Sequence, residues 1–250
     1  MKKNIKTSVY LTLIALPFLF LWTGCVFLNL SSDTSAVRAQ GSRENFEIRV
    51  GSFDKIKAEG HFDIQYNYGN SDTVTLFIQP NIKEYIDVSV VDSVLIIKPN
   101  RNINYRSNNK PVISVYAPLL NQITIEGAGD FTANNKITAN SFTINIAGAG
   151  SGTAELDVNT LNVFFSGAGE VKFSGRADNS TIIVSGTGDY DALSLLTKNA
   201  SINMSGAGTI KVYSTETLSI NADGVGSIEY KGSPSISLNK SGLVRIKNIN

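Results

Sequence analysis

From Ile123 onward, apolar and polar residues alternate in short runs with a period of two. Ile123-Thr124-Ile125, Ile144-Asn145-Ile146, Val163-Phe164-Phe165, Ile182-Ile183-Val184, Ile202-Asn203-Met204 and Ile220-Asn221-Ala222 each set two apolar residues around a middle one. Such alternation belongs to a strand with one buried face. Just after each run comes Gly-x-Gly: Gly127-Ala128-Gly129, Gly148-Ala149-Gly150, Gly167-Ala168-Gly169, Gly186-Thr187-Gly188, Gly206-Ala207-Gly208 and Gly224-Val225-Gly226. A degraded copy is Gly242-Leu243-Val244. The alternation then resumes, as in Glu170-Val171-Lys172-Phe173, and a polar turn closes each unit. No segment carries a 3.6-residue period.

The first glycines are 21, 19, 19, 20, 18 and 18 residues apart. A unit this short cannot bury its apolar face alone. Stacking lets each strand pair in parallel with its copy in the next coil. The expected fold is all-β, a single-stranded parallel β-helix of about seven regular coils over 119–250. A right-handed winding is favoured, because the six-residue repeat of left-handed forms is absent and right-handed crossovers dominate. The glycines are assigned to a corner repeated in every coil, where Gly reaches φ > 0 without strain and the small middle residue fits inside. Equivalent Asn and Ser positions (Asn145, Asn203, Asn221 and Asn239; Ser166, Ser185, Ser205 and Ser241) are expected to stack as ladders on the outer face.

Residues 46–118 read as β but irregular, with strands near 46–50, 62–66, 74–78, 86–90, 94–97 and 112–118. Tyr68-Gly69-Asn70, Gln79-Pro80-Asn81 and Asp92-Ser93 mark turns between them. This part either continues the solenoid in degenerate form or caps it, since an open end exposes unpaired strand edges. Residues 100–110 are a polar, protruding loop. Its Arg101, Tyr105, Arg106 and Lys110 are candidates for contact with a glycan or another protein.

The start of the chain is an export leader. Lys2, Lys3 and Lys6 precede an apolar run from Val9 to Trp22. The run ends in Leu21-Trp22-Thr23-Gly24-Cys25, which resembles a bacterial lipobox. Cleavage after residue 24 would leave Cys25 as a lipidated N-terminus and residues 25–45 as a polar tether. Two alternatives stay open: a cut after Ala39 by a soluble-export peptidase, and retention of 9–30 as a membrane anchor. The expected location is the bacterial cell envelope, in the periplasm or at the cell surface.

Composition narrows the chemistry. One Cys excludes a disulfide framework and a multi-Cys zinc site, and one His excludes a multi-His site. The formal charge of +1 depends on the leader lysines. Without these three, the acidic residues outnumber the basic ones, and no nucleic-acid footprint is left. Charged residues are 17% of the chain, against roughly 25% in ordinary globular proteins. Asp130, Glu170 and Asp189 follow Gly-x-Gly at one repeat position and could bind Ca²⁺ through oxygens, but Ser151 breaks the column. A solvated outer face is the simpler reading. His61 has no Cys or second His to partner it. The scattered Asp63, Lys98, Arg101 and Arg106 share no spacing that would unite them in a polysaccharide-cleaving site. No cofactor, no metal and no catalytic residue is expected.

Phe53-Asp54-Lys55-Ile56, Glu59-Gly60-His61-Phe62-Asp63-Ile64, the run from Val88 to Ile97, and Ile123-Thr124-Ile125-Glu126-Gly127-Ala128-Gly129-Asp130 with its repeats resemble the putative auto-transporter adhesin head GIN domain family. The resemblance covers roughly residues 46–230. It implies a β-helical exported bacterial domain, often on lipoproteins, with no established catalytic residues. The expected function is an adhesin-like envelope or surface module that presents an extended face to glycan or protein. A structural scaffold with protein partners only is the alternative, and a polysaccharide-acting enzyme the remaining one.

Overall fold

The computed structural model describes residues 36–104 and 110–250. The chain runs through β1 (Val37–Arg38), β2 (Glu44–Arg49), β3 (Lys55–Gly60), β4 (Asp63–Tyr68), β5 (Thr73–Ile78), a 3₁₀ helix (Pro80–Tyr85), β6 (Ile86–Val91), β7 (Val94–Pro99), β8 (Ile103–Asn104) and β9 (Val112–Ala117). The coils follow as β10 (Gln122–Gly127), β11 (Phe131–Ala133), β12 (Ile137–Ile146), β13 (Gly152–Phe165), β14 (Ala168–Val184), β15 (Thr187–Met204), β16 (Ala207–Ala222), β17 (Val225–Lys231), β18 (Ser235–Lys240) and β19 (Leu243–Asn248). The result is a parallel β-solenoid of about seven turns.

The inward residues set the register. Parallel pairing puts Ile123 beside Ile144, then Val163, Ile182, Ile202, Ile220 and Leu238, one per coil. A second column runs Ile125, Ile146, Phe165, Val184, Met204 and Ala222, all buried. Each fully buried aliphatic side chain contributes about 1.5–3 kcal/mol, and a one-residue slip would turn the whole set outward. That is why the period survives. Long strands bend within themselves. In β13, Ala154, Leu156 and Val158 point inward, and then Leu161, Val163 and Phe165 do. The step of three at Asn159-Thr160 is a second corner.

The irregular N-terminal segment uses the same register. In β3, Ile56 pairs with Ile123 and Gly60 with Gly127. On its other side Ile56 pairs with Leu95 of β7. β4 lies between β11 and β9. Residues 55–68 are therefore a coil, with Gly60-His61-Phe62 where later coils have Gly-x-Gly. β7 and β9 add a layer beyond it; β7 ends at Pro99, and β9 begins at Val112, paired with Asp63. β2, β5 and β6 cover this end with antiparallel pairs, β6 on β7 and β2–β5 on β9.

The stretch read as a tether up to residue 45 is ordered before that point. Val37–Arg38 pairs with Ile103–Asn104, Ala39 is buried, and β2 begins at Glu44. Among the described residues, no helix is long and apolar enough to cross a membrane. Cys25 and the 9–30 run lie outside the described residues.

Candidate functional site

The glycine corner is built by close approach. A Cβ on Gly127, Gly129, Gly148, Gly150, Gly167, Gly169, Gly186, Gly188, Gly206, Gly208, Gly224 or Gly226 would overlap a backbone carbonyl oxygen of the preceding coil, well inside 3.0 Å. Only Gly127, Gly169, Gly208 and Gly226 of these also have φ in the region that favours glycine, for example +148° at Gly169. Space, more than φ, demands glycine. The coils are that close because the middle residue hydrogen-bonds across. Ala149 N–H donates to Gly127 C=O at 2.7 Å, Ala168 to Gly148 at 2.9 Å and Thr187 to Gly167 at 2.9 Å. The middle residues do not sit inside the corner, as the sequence reading had it. Ala149, Ala168, Thr187 and Val225 are exposed and Ala128 and Ala207 half-buried, while the glycines on either side are the positions whose Cβ would meet the preceding coil.

Three outer faces follow, and their chemistry differs. The face just after the corner is charged. Pairing aligns Lys172, Asp191, Lys211, Glu229 and Lys247 in one column of alternating sign. Opposite charges directly across a strand pair are favourable. At the start of this face, Asp130 Oδ1 accepts from the Ser151 amide at 2.9 Å, and Asp189 Oδ1 from the Thr209 amide at 2.8 Å. The acidic position read as a Ca²⁺ candidate thus holds the next coil's backbone. Among the described residues, no group of three or more His, Cys, Asp or Glu is placed to hold a metal ion.

The face before the second corner is also charged. Asp157 and Arg176 meet at 2.6 Å and 3.2 Å through two parallel bonds, Lys136 meets Glu155 at 2.7 Å, and Lys198 meets Asp178 at 2.9 Å. The Arg176 guanidinium holds the Asp157 carboxyl below the usual carboxylate range. Part of this face forms a groove of about 540 Å³ with Val158, Ala177 and Leu196 among its walls. Pairs this exposed are screened by solvent and contribute little stability, but they tie neighbouring coils. At the corner itself, Asn159 donates to Asn140 at 2.7 Å, and Asn199 donates to Asn179 at 3.1 Å while accepting from Thr217 at 2.7 Å. These asparagine bonds were missed in the sequence. Their signal is there, since the paired positions are 18–20 residues apart, as the glycines are.

The third face, between the second corner and the glycines, is charged only where it meets the cap, where Lys57 pairs with Glu59 at 2.9 Å and with Glu126 at 3.1 Å, and is neutral in its two columns beyond. One outward column is Gln122, Thr143, Asn162, Thr181, Ser201, Ser219 and Ser237; its neighbour is Thr124, Asn145, Phe164, Ile183, Asn203, Asn221 and Asn239. None carries a charge. The expected Asn ladder forms in part: Asn239 donates to Asn221 at 3.0 Å, and Asn145 to the Thr124 hydroxyl at 3.1 Å. Phe164 interrupts it and is 41% exposed.

Of the four loop candidates, Arg101 and Lys110 are described, and each has a partner at the capped end. The Arg101 guanidinium lies 5.7 Å from the centre of the Tyr85 ring, and Lys110 Nζ is 3.6 Å from Asp63 Oδ1. Both serve the N-terminal cap. Tyr105 and Arg106 lie outside the described residues. His61 is exposed at the corner position that Ala128 takes one coil on. Lys98 borders an open depression on the cap with Lys83 and Asp87.

The comparisons with known proteins agree with this geometry. The family described as "Putative auto-transporter adhesin, head GIN domain" matches residues 52–234. A putative adhesin from Bacteroides fragilis is 30% identical, with a TM-score of 0.80 over 86% of this chain and 100% of that one. A putative lipid binding protein from Parabacteroides distasonis is 24% identical, with a TM-score of 0.69 over 86% and 100%. A putative adhesin from Parabacteroides merdae is 18% identical, with a TM-score of 0.60 over 86% and 99%. None of the curated proteins matches the chain. Repeats, register and family match together place the chain in the putative auto-transporter adhesin, head GIN domain family.

Proposed function

We propose that this protein is an exported, adhesin-like binding module of the cell envelope that presents an extended solenoid face to a glycan or a protein. The observation that carries this reading is the outer surface itself. Columns of side chains are held at the coil spacing of about 4.8 Å on a backbone whose hydrogen bonds are spent within the sheet. A surface of this kind recognises a repeating partner without folding around it. Family membership and the adhesins among the related structures support it.

Export rests on the leader. A cut after Ala39 fits the fold poorly, because it would remove β1 and a buried residue of the core. Anchoring through Cys25 keeps both. Cys25→Ser is expected to move the protein from the membrane fraction to the soluble fraction. Retention in the membrane would favour an uncleaved anchor at 9–30 instead.

Two measurements test the binding reading. A glycan array and an in-situ crosslink to envelope proteins should together give a specific partner. Crosslinks to protein alone would make the chain a scaffold. Release of new reducing ends from a polysaccharide would make it an enzyme.

A further inference from the structure

We infer that the neutral face binds an uncharged polysaccharide, with Phe164 as the stacking platform for a sugar ring. The inference deepens the proposed binding function and rests on it. Its starting point is a contrast within one molecule. The two other faces carry aligned charges along the solenoid, whereas on this face the two columns carry none from Gln122 and Thr124 onward, and the charges Lys55, Lys57, Glu59 and Glu126 gather at the end next to the cap. The column bordering them is Ala147, Ser166, Ser185 and Ser205 through its middle, also uncharged and exposed. In the coils around Phe164 a charged ligand would find no counter-charge. A neutral one loses nothing to unpaired ions.

The side chains suit hydroxyl groups. Asn and Gln offer both donors and acceptors, and Ser and Thr rotate to supply either. The face is too polar to form the core of a protein interface, which concentrates aromatics, Met and Arg. Its one large exposed apolar group is Phe164, with Ile183 half-buried beside it in the next coil. Asn145 flanks it on the other side. A pyranose has an apolar C–H face and an equatorial rim of hydroxyls. Stacked on Phe164 and Ile183, it would present that rim to Asn145, Asn162 and Asn203. The face is about 29 Å long at the coil spacing, enough for several sugars in a row. Pairing with Ile183 across the strands gives the phenyl ring one role in the sheet, but Asn145 and Asn203 hold the equivalent positions in other coils without it.

The test uses the full-length protein in mild detergent, titrated with soluble neutral polysaccharides (a β-glucan, a mannan, a galactan) and, in parallel, with polygalacturonate. A neutral polymer is expected to bind. Phe164→Ala should weaken it by about tenfold or more, the usual effect of truncating an aromatic anchor. Phe164→Trp should restore it, and Asn162→Asp should weaken it without changing the melting temperature. Lys172→Ala and Arg176→Ala, on the charged faces, should leave affinity unchanged. Binding that survives Phe164→Ala and fails in Lys172→Ala or Arg176→Ala overturns the assignment to this face and leaves the binding function standing. Binding of polygalacturonate alone, or of envelope protein alone, overturns the neutral-glycan inference but not the module. No binding by any of these overturns both.

Discussion

Gly167→Ala isolates the reason for the corner glycines. Its φ is not positive, so alanine meets no conformational penalty there. The penalty is spatial. The new Cβ would overlap the Gly148 carbonyl oxygen and lie 2.8 Å and 2.9 Å from the Gly148 carbon and nitrogen. Real Cβ atoms essentially never come within 3.0 Å of such atoms. Relief requires the two coils to part by about an ångström. That lengthens the Ala168 N–H to Gly148 C=O bond from 2.9 Å and the Gly167 N–H to Ile146 C=O bond from 3.3 Å beyond hydrogen-bond range. Each lost bond costs about 0.5–1.5 kcal/mol, and more if a group stays buried and unpaired. The expected loss is therefore about 3 kcal/mol, a sizeable share of the 5–15 kcal/mol typical of a domain. Gly169→Ala has the same overlap, with Gly150, and adds φ strain of about 1–2 kcal/mol. Ala168→Ser, at the exposed middle position, is the control and should stay within about 0.5 kcal/mol. Denaturant unfolding followed by circular dichroism measures all three. If Gly167→Ala unfolds with the control while Gly169→Ala is strongly destabilised, φ alone explains the glycines and the close-approach argument fails.

Other outcomes follow from the same contacts. Burial pushes the Tyr66 phenol up to about 12 from its usual 10, and its hydroxyl donates to Ala117 C=O at 3.1 Å. A raised folded pKa gives stability that is complete below pH 10 and lost as pH rises through about 12, about 2–3 kcal/mol for a shift of this size. Burial pushes the Tyr190 phenol up as well, so Tyr66→Phe should make that alkaline limb shallower rather than abolish it, and an unchanged limb counts against the Tyr66 contribution. Asp157 is held low by Arg176, so its contribution is present above the ordinary carboxylate value of 3.8 and fades as pH falls below it. Arg176→Gln should remove this acid-side dependence of the melting temperature, visibly at low salt and hardly at high salt. Asn199→Ala breaks two side-chain bonds between coils and should cost about 1 kcal/mol by thermal melting. A melting temperature equal to that of the unsubstituted protein would show that these bonds merely replace bonds to water.

The coils with Gly-x-Gly were legible because stacking imposes one requirement, no Cβ at the corner, at every turn. The coil at 55–68 was not. Phe62 stands where the second glycine would be, and the coil meets its partner 67 residues later, as in the Asp130 to Asp63 bond. A search near a period of 19 passes over it, so the sequence left open whether 46–118 continued the solenoid or capped it, and the register shows that 55–68 continues it while the strands beyond cap it. The contacts of the described loop residues were hidden for a related reason. Arg101 and Lys110 looked free because their partners, Tyr85 and Asp63, are remote in sequence. The middle residues were placed inside the bend on size alone, whereas inside and outside are decided by which atoms must pass closest.

The candidate site was hidden by the same regularity that revealed the fold. Along the chain, Val163-Phe164-Phe165 reads as an apolar strand, and Phe164 is one more hydrophobe in it. Only the register sets Phe164, with Ile183 beside it, in a column with Thr124, Asn145, Asn203, Asn221 and Asn239. In that column it breaks the pattern. Positions that serve the architecture repeat, because every coil makes the same demand. A residue that departs from its column on the solvent side, keeps 41% of its surface exposed and stabilises no neighbouring coil by a hydrogen bond answers to something outside the fold. In a solenoid the exceptions, rather than the repeats, are where a partner is to be sought.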